Sequence, residues 1–204
     1  MPDNAIIHVV DDDASLRDAL ARLFRSVGLE SQPYGSAQAF LDAGRPDIPG
    51  CLVLDVRLPG VSGLDFQGQL RNLGIKIPIV FMTGHGDIPM SVQGMKAGAV
   101  DFLPKPFRDQ DMLDAVMTGI ERDRDRRAGE SETRQLRDRY ATLSPRERQV
   151  MALVTEGKLN KQVAGDLLLS EITVKIHRRS AMRKMGARTL ADLVKMSQAL
   201  DIET

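Results

Sequence analysis

The chain has a single cysteine, few aromatic residues and no long apolar run. One cysteine, Cys51, excludes an intramolecular disulfide. It stands inside an apolar run and reads as a small core hydrophobe, with redox chemistry as the alternative. Aromatic residues are 4% of the 204, too few for the stacking platform on which single-stranded RNA is bound. No apolar stretch reaches the roughly 20 residues of a membrane span, and the N-terminus lacks the basic-then-apolar pattern of a secretory signal. The expectation is a cytoplasmic protein with no membrane partner. An excess of charge of one sign is also missing, since Lys and Arg number 28 and Asp and Glu 28.

That balance is uneven along the chain. Residues 1–120 hold 10 basic and 15 acidic residues, whereas residues 146–188 hold 10 basic and 4 acidic. An acidic front and a basic back predict two domains with different partners, the basic one suited to nucleic acid; a merely solvated basic face is the other reading.

The front half is organised around Cys51-Leu52-Val53-Leu54-Asp55. Four apolar residues after Pro49-Gly50 read as a strand buried on both faces, and Asp55 stands at its C-terminal end. Ile6-Ile7-His8-Val9-Val10 is a second such run, ending at Asp11-Asp12-Asp13. Residues 77–82 form another, ending at Thr83-Gly84-His85-Gly86, and Asp101-Phe102-Leu103 ends at Pro104-Lys105-Pro106. A weaker strand is expected over 31–34. Helical spacing follows each strand: Leu16, Leu20, Leu23, Phe24 and Val27 before Gly28, then helices beginning at Ala37, over 64–73, over 89–96, and a last one carrying Met112, Leu113, Val116 and Ile120. The alternation predicts an α/β fold, a five-stranded parallel sheet with helices on both faces.

In a parallel sheet those strand ends open on one edge. Asp11, Asp12, Asp55, Thr83 and Lys105 are therefore expected around one crevice, although Asp55 alone also reads as a cap. Clustered carboxylates repel one another, and oxygen donors without imidazole or thiolate favour Mg²⁺ or Mn²⁺. Such a cation would steady a phosphoryl group in front of a carboxylate nucleophile, with Thr83 and Lys105 on its oxygens.

Val9-Val10-Asp11-Asp12-Asp13, Leu54-Asp55-Val56-Arg57-Leu58-Pro59-Gly60, Met82-Thr83-Gly84 and Phe102-Leu103-Pro104-Lys105-Pro106-Phe107 resemble the signature segments of two-component receiver domains. The resemblance implies a flavodoxin-like sheet and phosphorylation of Asp55 by a sensor histidine kinase. It further implies Mg²⁺ held by Asp12, Asp55 and the backbone carbonyl of Arg57, with Asp11 assisting through water. Thr83 and Lys105 become phosphate sensors, Lys105-Pro106 a cis peptide, and Phe102 a switch residue where the family more often has Tyr. Phe102 also reads as a plain strand residue. Arg57 and His85 fall at variable positions that tune phosphoryl lifetime, with His85 alternatively idle loop surface.

Between Glu121 and Arg139, seven Arg and six acidic residues fill 19 positions. They read as a charged linker, helical through charge pairs and weakest at Ala128-Gly129, without the heptad seam of a coiled coil. The expected division is 1–122, a linker 123–140, and 141–204.

Ser144-Pro145-Arg146-Glu147 is a capping box with Pro at the first helical position. Asn160, Ser170 and Thr189 are expected caps of three further helices, so the back domain is all-α with four helices and a helix-turn-helix around Leu169-Ser170. In the third helix Val174, His177, Ala181 and Met185 share an inward face, with His177 a core or phosphate-touching residue rather than a metal ligand. Lys175, Arg179 and Arg183 line the other face, fit for a major groove. Leu143-Ser144-Pro145-Arg146-Glu147, Asn160-Lys161-Gln162-Val163-Ala164 and Thr173-Val174-Lys175-Ile176-His177 resemble the LuxR-type DNA-binding domain. That implies base contacts from Lys175, Ile176 and Arg179, backbone contacts from Asn160, Lys161, Thr173, Arg178 and Lys184, and a dimer contact through the last helix.

The whole chain resembles response regulators of the FixJ-like class. The implied function is a transcription factor that dimerises on phosphorylation, binds double-stranded promoter DNA and works with RNA polymerase. It would not be an enzyme beyond loss of its own phosphoryl group. Two rivals remain: a Mg²⁺-dependent aspartyl-phosphate phosphatase, which wants a general acid where position 57 is Arg, and an interaction module whose basic helix binds RNA or protein.

Overall fold

The computed structural model describes residues 5–44, 46–84 and 88–200, which fall into two compact units, 1–127 and 128–204. In chain order the first contains β1 (Ile6–Val10), α1 (Ala14–Ser26), β2 (Glu30–Tyr34), α2 (Ala37–Asp42), β3 (Gly50–Asp55), β4 (Arg57–Leu58), β5 (Val61–Ser62), α3 (Gly63–Asn72), β6 (Ile79–Thr83), α4 (Ile88–Lys96) and β7 (Asp101–Pro104). Then comes the start of α5 (Asp109–Ala141). The main sheet is parallel with order β2-β1-β3-β6-β7.

β3 is buried at all six positions, as its apolar run demands. Side chains alternate across the sheet. On one face Ile7, Val9, Cys51, Val53, Val80 and Met82 meet Leu20 and Phe24 of α1 and Met112, Val116 and Ile120 of α5. On the other, Val10, Leu52, Leu54 and Phe81 meet Phe40 of α2 and Phe66 and Leu70 of α3. Asp13 caps α1 by accepting the N–H groups of Ser15 and Leu16. Val27, expected on the inward face of α1, lies past its end and is exposed.

One feature departs from expectation: the turn after Asp55 is a small antiparallel hairpin, β4 with β5. The charged stretch is helical, and α5 runs through Ala128-Gly129 without a break. Within its charged stretch Asp123 is buried: it accepts the Gly50 N–H at 3.1 Å and pairs with Arg126 and Arg127, while Arg127 also reaches Asp47. The contacts of the first unit thus continue past residue 122.

The second unit holds the last turns of α5, then α6 (Pro145–Thr155), α7 (Asn160–Leu167), α8 (Glu171–Met185) and α9 (Leu190–Ala199). Val150, Met151, Val154, Val163, Val174, Ala181, Met185 and Leu193 form its core, and Leu136 and Tyr140 of α5 pack against it. The capping box of Ser144 and Glu147 is present. Ser170 and Thr189 cap as expected. Asn160 does not cap: the cap position of α7 is Leu159, and Asn160 is the first helical residue. The turn into α8 is made by Leu168, which is left-handed at φ 54°.

Candidate functional site

Four strands of the sheet deliver their C-terminal ends to one edge, and Asp11, Asp12, Asp55 and Lys105 meet there. One carboxylate oxygen from each of Asp11, Asp12 and Asp55 lies within 4.8 Å of the others. Asp11 and Asp55 are buried and Asp12 is exposed, so the cluster is closed below and open to solvent above. Lys105 reaches in from the end of β7, with Nζ 2.7 Å from Asp11 Oδ2 and 2.8 Å from Asp55 Oδ2. The second oxygens of those carboxylates are held by the backbone: Asp11 Oδ1 accepts the Asp13 N–H at 2.8 Å, and Asp55 Oδ1 accepts the Arg57 N–H at 3.1 Å.

The lysine is placed by the sheet. Its N–H donates to the Thr83 carbonyl at 2.6 Å, continuing the β6–β7 ladder one residue past the strand, and Lys105-Pro106 is cis. Thr83 is buried at the end of β6. Arg57 is exposed and opens the β4–β5 hairpin. That hairpin returns the chain so closely that a Cβ on Gly63 would stand 2.5 Å from the Asp55 carbonyl oxygen, a contact only glycine permits. Phe102 is half-buried, its ring 5.7 Å from that of Phe81. His85 lies outside the described residues.

Burial pushes the Asp11 carboxyl upward, against the hydrogen bonds from Lys105 and Asp13 that favour its charged form. Burial works to lower the Lys105 ammonium, but Asp11 and Asp55 outweigh it and raise it, so the lysine stays charged. The crevice therefore combines clustered negative charge with one fixed cation. All its anionic donors are oxygens, which suits a hard divalent ion such as Mg²⁺ and gives zinc no preferred ligand.

In the second unit, Lys175, Ile176, Arg179 and Arg183 are exposed on α8, and Val174, Ala181 and Met185 are buried behind them. His177 is half-buried. Arg178 donates to Asn160 Oδ1 at 3.1 Å, tying α8 to the start of α7, and both line a cavity of about 380 Å³ with Arg179 and Arg183. Lys161 is exposed on α7, and Thr173 gives its N–H to Ser170 Oγ. Lys184, a candidate for the DNA backbone, places its ammonium 2.7 Å from Glu147 Oε2 and 3.1 Å from the Thr142 carbonyl. Glu147 also accepts from Ser180 Oγ and the Ser144 N–H. Burial raises its carboxyl, but these partners, Lys184 foremost, outweigh that and lower it to about 2. The local motif accounts only for the place of Glu147 in the capping box; its Lys184 and Ser180 contacts come from a helix more than 30 residues away.

A carboxylate–lysine crevice on a doubly wound parallel sheet, followed by a helix-turn-helix unit, defines a response regulator. Comparison with known proteins gives the same class. Residues 7–117 match the response regulator receiver domain, and residues 141–197 match the bacterial regulatory proteins of the luxR family. The chain is 59% identical over 198 residues to Nodulation protein W of Bradyrhizobium diazoefficiens, covering 97% of this chain and 87% of that one. It resembles the solved structure of the response regulator StyR with a TM-score of 0.84 at 47% identity, covering 95% and 98% of the two chains. Full-length FixJ from B. japonicum aligns over 98% and 99% with a TM-score of 0.59 at 38% identity.

The chain belongs to the FixJ-like response regulators, receiver domains joined to a LuxR-type DNA-binding domain, and is a transcriptional regulator of a two-component system. The phosphatase rival is not favoured by these relationships. Among the described residues, no helix is long and apolar enough to cross a membrane.

Proposed function

We propose that Asp55 is the phosphoacceptor and that its phosphorylation gates promoter binding by α8. One observation carries this reading: Asp11, Asp12 and Asp55 share a crevice whose fixed cation, Lys105, touches both buried carboxylates. An Asp55 oxygen attacks the phosphorus presented by a sensor histidine kinase. An O–P bond forms as the N–P bond of the donor breaks, and the imidazole nitrogen departs with the electron pair.

Asp11, Asp12, Asp55 and the Arg57 backbone carbonyl are the residues that would hold Mg²⁺ or Mn²⁺. Bound there, the cation neutralises charge on the transferring group. Lys105 pairs with a phosphoryl oxygen and the Thr83 hydroxyl hydrogen-bonds another. Inward movement of Thr83 draws Phe102 from its place beside Phe81. Phe102 has no hydroxyl, so packing alone governs that movement.

The face built by α4, β7 and α5 changes in consequence, as a population shift. Val92 and Met95 on α4 and Met117 on α5 are exposed apolar residues, as a partner surface requires. A second receiver docks there, and α9 pairs the DNA-binding domains. Two copies of α8 then meet a pseudo-palindromic operator about 34 Å apart. Lys175, Ile176 and Arg179 face base edges, while Asn160, Lys161, Thr173 and Arg178 hold phosphates, and the bound dimer acts on RNA polymerase in the cytoplasm. The test is phosphoryl transfer from a phosphorylated histidine kinase to the full chain: Asp55→Asn abolishes labelling, and labelling that persists in that variant moves the acceptor elsewhere.

A further inference from the structure

α8 carries two isoleucines that the fold does not use. Ile172 is 72% and Ile176 62% accessible. At 100° per residue, Ile172, Ile176, Arg179 and Arg183 fall within about 60° of one another around the helix. The buried Val174 and Ala181 stand on the opposite side. Ile172 is the second residue after the Ser170 cap, in the first turn of the helix. β-branched residues have lower helix propensity than Arg or Lys, and an apolar side chain left in water contributes no burial. Neither isoleucine is therefore explained by the stability of the free protein.

Each lies where helix-turn-helix proteins meet base edges, at the N-terminal part of the second helix. The major groove edge of DNA offers one apolar group, the C5-methyl of thymine. Four residues of helix advance about 6 Å, close to two base steps of about 3.4 Å.

We propose that Ile172 and Ile176 together read thymine methyl groups, so that each operator half-site carries thymines about two base steps apart under the first two turns of α8. This deepens, and rests on, the reading of α8 as the base-contacting helix. Ile172 becomes a specificity-determining residue that neither the charge pattern nor the motif picks out. Cations beside the pair, Lys175 and Arg179, remain available to phosphates and guanines.

The test uses the full chain, a small-molecule phosphodonor and a randomised duplex pool. The best-bound duplex is then remade with each thymine replaced, one at a time, by deoxyuridine, which removes the methyl and nothing else. Loss of a buried methyl is expected to weaken binding about four-fold at two positions. Ile172→Ala should erase the penalty at one of them and Ile176→Ala at the other, the signature of direct coupling. Arg179→Ala should weaken thymine and deoxyuridine duplexes alike. Circular dichroism melting checks that the variants fold, as substitution of exposed residues allows. Tight, sequence-selective binding without any deoxyuridine penalty, or a penalty that persists in both alanine variants, overturns the inference and assigns the isoleucines to a protein partner. Failure to select any sequence overturns instead the DNA reading of α8.

Discussion

The Lys105 ammonium lies 2.8 Å from Asp55 Oδ2, so the proposed acceptor is already paired with a cation before any phosphoryl group arrives. The same ammonium is 2.7 Å from Asp11 Oδ2. A divalent ion held by Asp11, Asp12 and Asp55 would compete with Lys105 for those carboxylates.

This competition sets the first prediction. At a cation concentration ten times its Kd, binding to the folded state alone adds about 1.4 kcal/mol of stability. Differential scanning fluorimetry of the full chain with MgCl₂ should show the receiver melting a few degrees higher. Asp12→Asn should diminish the gain and Lys105→Ala enlarge it. A gain unchanged by both would place the cation elsewhere.

Asp123 supports the opposite edge of the sheet. Its carboxylate is 2% exposed and holds Gly50 N–H together with Arg126 and Arg127. Asp123→Ala leaves the buried Gly50 N–H without its acceptor and removes one carboxylate from Arg126 and Arg127, of which Arg127 keeps Asp47. A loss of about 3 kcal/mol is expected in urea denaturation, with the urea slope unchanged.

Gly119 lies against Cys51: a Cβ there would stand 2.5 Å from Sγ. Alanine normally favours a helix interior by about 1 kcal/mol over glycine. Here Gly119→Ala should destabilise by about 1–3 kcal/mol through overpacking. Adding Cys51→Ala removes the obstructing sulfur and should return most of the loss, a coupling that a double-mutant cycle measures. Burial pushes the Cys51 thiol up to about 12, with nearby Asp123 adding to the effect. Iodoacetamide at neutral pH should accordingly label the chain only after denaturation.

Glu147 makes the DNA-binding domain sensitive to acid. Its folded carboxyl is lowered from 4.5 to about 2, so it contributes stability that is fully present above pH 4.5. That contribution is lost as pH falls from about 4.5 through about 2. Chemical denaturation of the domain's transition across this window should show the decline, and Glu147→Gln should flatten it. Lys184→Met, which removes the foremost partner, should flatten it in part.

The strand ends were legible because each is a short apolar run stopped by a polar residue, and parallel topology then puts those residues on one edge. Asp11, Asp55 and Lys105 meet for that reason, although 94 residues separate Asp11 from Lys105. Asp123 was not legible. It sits among 13 charged residues in 19, where a single acid reads as solvated, and its partner Gly50 is 73 residues away. The β4–β5 hairpin has two residues per strand, too few for any periodicity to register. Asn160 shows the converse: its residue type suggests a cap, but Leu159 holds that place, and the Asn160 side chain takes Arg178 instead.

Assembly of the crevice from β1, β3, β6 and β7 has a consequence during synthesis. The ribosome releases Asp11, Asp12 and Asp55 well before Lys105 exists. Until β7 has added itself to the sheet edge, a nascent receiver lacks the ammonium that pairs with Asp11 and Asp55, so the crevice is completed only with the last strand.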